Sequence, residues 1–159
     1  MDTVTYPNDE VSAFISERFE PLKIDMLAKH PDFRDACAGQ KVIWAPALIF
    51  ADAKGRELRR YIGWLPPESF LLDLRFVLAT WQFQQIDFAG ARDEYRAVFD
   101  AATDGPLAAE ALYWVGIAGF LAGKRDMGAL REAWEKLVRD YPDTRWATHA
   151  LVIEDAPQS

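Results

Sequence analysis

The chain has 159 residues, of which 50% are hydrophobic, and a formal net charge of −7 at pH 7. This length and apolar content suit one compact domain or a small domain with an appendix, and they exclude wholesale disorder. The negative charge argues against nucleic acid and anionic membrane surfaces as partners, because clustered cations bind both.

The cysteine and histidine content argues against two further kinds of site, disulfides and metal centres. The single cysteine, Cys37, excludes an internal disulfide and a zinc site built from cysteines, and two histidines are too few to suggest a metal centre. The first ten residues lack the basic and apolar regions of a signal peptide, and the longest apolar run, residues 111–123, is too short to cross a bilayer. We therefore expect a cytoplasmic protein with no cofactor and no metal ion.

The first half of the chain is predicted to alternate between helix and strand. Asn8 can cap a helix in which apolar residues recur at helical spacing. Strands are predicted where apolar residues alternate, as in PLKIDM, or fill every position, as in ALIFA, which is typical of a strand covered on both faces. A DAKG turn joins ALIFA to RELRRYIG, whose basic side suits a solvated edge strand. The predicted elements are a helix after Asn8, a strand at residues 21–26, a short helix at 30–38, strands at 47–51 and 56–63, and a long helix at 66–83.

The second half contains no strand candidate and is predicted to be helical throughout. Glycines and prolines separate the helices, which are predicted at residues 87–103, 107–123, 126–142 and 143–152. Four tryptophans fall at a helical spacing that predicts packing in the core: Trp81, Trp114, Trp134 and Trp146. The change of pattern predicts an α/β domain over residues 1–84 and a helical region over 85–159.

The order of elements in residues 1–84, together with the run WAPALIFADAKGRELRRYIGW, resembles the thioredoxin fold without its first strand. In that family a cis-proline precedes the third core strand, and Pro46 stands at the matching position before ALIFA. The resemblance therefore implies a cis peptide between Ala45 and Pro46. It also implies an α/β domain whose mixed sheet has about three strands.

The helical half resembles tetratricopeptide repeats. The resemblance rests on the run Leu-Tyr-Trp-Val-Gly at residues 112–116, on the small residues Ala118 and Gly119 where two helices approach, and on the closing Tyr141 and Pro142. Residues 87–106 resemble the second helix of a preceding repeat. The resemblance implies helical hairpins whose stacked faces bind peptides.

The redox motif of active thioredoxins is missing from this sequence. Those proteins carry Cys-x-x-Cys at the start of the first helix, because thiol–disulfide exchange needs an attacking thiolate and a resolving thiol. Cys37 is single and lies elsewhere. We therefore predict a non-catalytic protein-interaction module with a protein or peptide partner and no catalytic residue. The alternative is a thiol–disulfide oxidoreductase whose redox cysteines lie upstream of Met1.

The candidate binding residues surround the predicted hairpin. By resemblance, Ala45 and Pro46 correspond to the residues that contact the substrate backbone in thioredoxins. The other interpretation of Ala45 and Pro46 is a retained turn without a binding role. Trp44 and Trp64 flank the hairpin and are placed to line a peptide groove, and the other interpretation is packing in the core or at its rim. Cys37 is a candidate reactive thiol with His30 seven residues before it, or else a buried inert thiol.

The absent first strand leaves one edge of ALIFA without its usual neighbour. Direct pairing with PLKID is the simplest way to close this gap within one chain. Where the closure is imperfect, we expect the same exposed strand edge to recruit a second copy and give a homodimer.

Overall fold

The computed structural model describes residues 1–25, 39, 41–42, 44–102 and 105–153. These residues are mostly helical and include one two-stranded antiparallel sheet. The elements are α1 (Asp9–Arg18), β1 (Ala47–Ala51), β2 (Glu57–Ile62), α2 (Pro67–Gln84), α3 (Phe88–Ala101), α4 (Pro106–Ala122), α5 (Met127–Asp140), α6 (Arg145–Ala150) and a short 3-10 helix (Leu151–Ile153). The chain divides into two compact units, Met1–Leu71 and Leu72–Ser159.

The first unit holds α1 and the hairpin of β1 and β2. As predicted, Asn8 caps α1, and its side chain accepts hydrogen bonds from the backbone N–H groups of Glu10 and Val11. The strands pair from Ala47 opposite Ile62 to Ala51 opposite Glu57, with a register shift between Phe50 and Ala51. The predicted hairpin is therefore confirmed.

The N-terminal segment is tied to the loop that follows the hairpin. The fully buried hydroxyl of Thr5 donates a hydrogen bond of 2.7 Å to the backbone carbonyl of Leu65. Next to this bond the ring of Tyr6 meets the ring of Phe70 edge to face, with 6.0 Å between centroids. These contacts hold the start of α2 against the first residues of the chain.

The second unit is a layer of helices in which α4 is central. Helix α4 packs against α3, α5 and α6, and eight of its 17 residues are buried. Two of the predicted approach sites are found here: Ala118 is fully buried, and Gly119 lies where an added Cβ would meet the Cβ of Ala129 at 3.3 Å. The small residues thus allow α5 to approach α4 closely.

Three of the four helical tryptophans pack as predicted, and one does not. Trp134 is 7% exposed, and its ring stacks on that of Tyr113 with 4.9 Å between centroids. Its indole N–H donates a hydrogen bond of 3.0 Å to the backbone carbonyl of Tyr113. Trp114 and Trp146 are half-buried against the same core. Trp81 is 42% exposed, so the prediction of core packing is wrong for it. The apolar spacing predicts that Trp81 lies in a helix, but it does not predict whether another element covers that side of α2.

Residues 21–25 do not form the predicted strand. Within the described part of the chain the sheet consists of β1 and β2 alone, so the expected mixed sheet of about three strands is wrong there. Leu22 is 77% exposed, and Lys23 pairs instead with Asp2 at 2.7 Å. Of the alternating apolar residues, Leu22 is exposed and Ile24 is only half-buried, so the described part of this segment offers no buried face on which a strand could form.

Burial of β1 also differs from the prediction. Its first four residues are half-buried and Ala51 is exposed, so the strand is not covered on both faces. The helix predicted at residues 30–38, with His30 and Cys37, lies outside the described residues. None of the described helices is long and apolar enough to span a membrane.

Gly116 is predicted to be essential for the contact between α4 and α5. A Cβ at this position would lie 2.7 Å from Cδ1 and 2.8 Å from Nε1 of Trp134, and that ring is held by stacking and by a hydrogen bond. Gly116→Ala should lower the free energy of unfolding by about 1–2 kcal/mol, after the better helix propensity of alanine offsets part of the overpacking. Chemical denaturation of the full chain measures this. A gain in stability would show that the space is free.

Ile86 is predicted to be a strained cap for α2. It has φ +68° with a 75% exposed side chain, while its N–H donates to Phe83 and the next N–H donates to Gln82, which is the geometry that favours glycine. Ile86→Gly should raise the free energy of unfolding by up to about 1 kcal/mol, because relief of the left-handed strain exceeds the added entropy of the unfolded chain. Ile86→Ala keeps a Cβ and should give little of this gain. Equal stability of the two variants would contradict the account.

Candidate functional site

The predicted binding residues gather at the base of the hairpin, at the end opposite the turn. We define the hairpin-base surface as Trp44, Ala45, Pro46, Ile62 and Trp64. The ladder between the strands continues to this end, because the N–H of Gly63 donates to the carbonyl of Pro46 at 2.9 Å. The peptide bond between Ala45 and Pro46 is cis, which confirms that prediction.

The large side chains of the hairpin-base surface are exposed. Trp44 is 68% exposed, Trp64 is 55% exposed and Ile62 is 54% exposed. Among the described residues, neither indole makes a ring contact with another aromatic side chain. The two tryptophans are therefore not core residues, while packing at the rim and the peptide groove both stay predictions. Clustered exposed apolar groups of this kind mark interaction sites more often than isolated ones do.

Beside this surface runs an edge of β1 that pairs with no other described strand. In an antiparallel ladder, the N–H and C=O groups of successive residues point alternately toward the partner strand and away from it. Pro46 accepts from the hairpin partner, so Leu48 and Phe50 also point toward β2. The backbone groups of Ala47, Ile49 and Ala51 therefore point outward, where an added strand would bind them.

Two of the basic residues of the hairpin, Arg56 and Arg60, form ion pairs with acidic residues of the same hairpin. The Asp52 carboxylate accepts hydrogen bonds from the N–H groups of Lys54 and Arg56, both at 2.9 Å, and pairs with the Arg56 guanidinium at 2.6 Å. The backbone hydrogen bond from Arg56 is the main reason that the pKa of Asp52 lies below its usual range. Arg60 pairs with Glu57 at 2.6 Å. These ion pairs within the hairpin agree with the interpretation of the basic cluster as a solvated strand face.

The ammonium group of Lys54 is different. It is exposed and forms no ion pair with any described residue. The open edge of β1 thus runs between an exposed cation at the turn and exposed indoles at the base. A partner strand would meet backbone groups in the middle, apolar rings at one end and a positive charge at the other.

Sequence reasoning found four of the five residues of the hairpin-base surface and missed Ile62. The signal was present, since Ile62 stands two residues before Trp64 and directly opposite Ala47 in the ladder. Cys37 and His30 lie outside the described residues, so the candidate thiol stays a prediction. In the described ranges, no three His, Cys, Asp or Glu side chains are grouped so that they could hold a metal ion.

Comparisons with family models, curated proteins and solved structures found no match to this chain.

Proposed function

We propose that the chain is a non-catalytic protein-interaction module that binds an extended protein or peptide segment at the hairpin-base surface. The observation that carries this proposal is the position of two exposed tryptophans at the end of a strand edge that pairs with no other described strand. Main-chain hydrogen bonds along such an edge supply affinity, and side-chain contacts at its end supply specificity. Tryptophan is also the residue type that most often dominates the energy of protein interfaces.

The finer architecture belongs to the same proposal. A thioredoxin-like first unit is supported by the order helix, hairpin and long helix around Pro46. Tetratricopeptide-like hairpins are supported by the close packing of α4 on α3 and α5, with Gly116 beneath Trp134 and Tyr141 and Pro142 after α5. We place the module in the cytoplasm and expect neither nucleic acid nor a membrane as its partner, since the net charge is −7.

Selection from a random peptide library tests the proposed function. We expect the full chain to select extended peptides and to bind them with micromolar affinity. The double variant Trp44→Ala, Trp64→Ala should bind the same peptides at least about tenfold more weakly, because the buried indole contacts are lost. Isothermal titration calorimetry measures the affinities.

Trp81→Ala provides the matched control, since it removes a tryptophan that is 42% exposed and lies in the other unit. Peptide affinity should be unchanged in this variant. Circular dichroism of all variants checks that the fold is retained. The proposal is wrong if the library yields no binder, or if the double variant binds as tightly as the original chain.

A further inference from the structure

The outer edge of β1 lacks the features that keep edge strands apart. Its sequence, Ala-Leu-Ile-Phe-Ala, contains no charge and no proline. The extra residue at the register shift is Leu58 on β2, since Phe50 pairs with Arg59 and Ala51 pairs with Glu57. The backbone of β1 is therefore regularly spaced along the edge it presents. Regular, uncharged and apolar edges are the ones that pair with another strand.

We propose that two copies of this chain pair antiparallel through β1 and form a continuous four-stranded sheet across a two-fold axis. This inference concerns the strand edge itself and stands whether or not a peptide binds at the hairpin-base surface. Where the proposed function also holds, the second copy and the peptide compete for the same backbone groups.

The direction of the backbone groups selects one register. A two-fold pairing centred on Ile49 sets Ile49 opposite its own copy and sets Ala47 opposite Ala51 of the second copy. All three outward-facing residues then bond, which gives about six hydrogen bonds between the copies. Moving the two-fold axis to Leu48 or to Phe50 leaves one of the three outward-facing residues without a bonded partner in β1. An interface of this kind is self-complementary, as two-fold symmetry requires.

Side chains in this register also complement one another. Leu48 comes opposite Phe50 of the second copy in a non-hydrogen-bonded pair, the closer type of pair, so apolar side chains meet across the axis. No charged residue lies within β1, so no like charges oppose each other. The turn of one copy runs toward the segment before β1 of the other. The exposed ammonium of Lys54 in one copy thus lies at the same end of the interface as the exposed Trp44 of the other.

This complementarity is the reason to choose a second copy over an unrelated partner. The edge offers an apolar centre, a cation at one end and an indole at the other, and the same edge turned by 180° supplies the matching groups. A pair of five-residue strands is a small interface, below about 1,200 Å² in total. We therefore expect a reversible dimer with a dissociation constant in the micromolar range.

Sedimentation velocity of the full chain, without peptide, from about 1 µM to about 500 µM tests the proposal. We expect the mass to rise from monomer toward dimer over this range. Ala51→Pro should raise the dissociation constant at least about tenfold, because proline removes an N–H that points away from β2 and the Ala51 side chain is exposed. Ala51→Val keeps the N–H and should dimerise as the original chain does. A monomer at every concentration would overturn the proposal.

A cross-linking measurement decides the outcome if Ala51→Pro does not fold. In a Cys37→Ser background, Ile49→Cys places two thiols opposite each other at a Cα–Cα distance of about 5.5 Å, which lies in the range that disulfides span. Oxidation should give a covalent dimer. Ala53→Cys, in the exposed turn, should give little covalent dimer. Equal cross-linking at the two positions, or none at Ile49→Cys, would show that the copies do not pair through β1 in this register.

Discussion

The contacts of the Phe50 ring organise the first unit. Its centroid lies 5.9 Å from that of Phe19 at the end of α1, 6.1 Å from that of Tyr61 on β2 and 6.5 Å from that of Phe70 in α2. One side chain of β1 therefore contacts residues of α2 and β2 and the residue that follows α1. Because side chains alternate along a strand, the inward position of Phe50 also fixes Leu48 on the same face and Ala47, Ile49 and Ala51 on the other.

The same constraint determines which backbone groups of β1 point away from β2. With Phe50 paired to Arg59, its N–H and C=O groups are used by β2, and the backbone groups of the flanking residues point away. At the base of the hairpin β1 begins after Pro46 and β2 ends before Gly63, which has φ +113°, so Trp44 and Trp64 lie outside the alternation of the strands. The outward backbone groups of β1 thus follow from the packing of Phe50, and the position of the exposed indoles follows from where the two strands end.

Local signals predicted most of the fold, and long-range contacts account for what they missed. The cap at Asn8 and the DAKG turn act over a few residues, so the sequence located α1 and the hairpin closely. The strand predicted at PLKID depended on a covering surface elsewhere in the chain, and Leu22 is instead exposed. Trp81 shows the same limit, because helical periodicity defines a face but not its partner. At the candidate site, the hydrogen bond between Gly63 and Pro46 places the segments that carry the four predicted residues side by side. The exposure of Trp44 and Trp64 depends on packing that no local pattern encodes.

The central claim is that β1 is an edge strand with a fixed outward set of backbone groups, and hydrogen exchange at single-residue resolution tests it most directly. In dilute solution, where the chain is monomeric, the account predicts protected amides at Leu48 and Phe50 and rapid exchange at Ala47, Ile49 and Ala51. At high concentration the three rapid amides should become protected as copies pair. Uniform protection of all five amides in dilute solution would contradict the account, since it would mean that another part of the same chain already covers this edge.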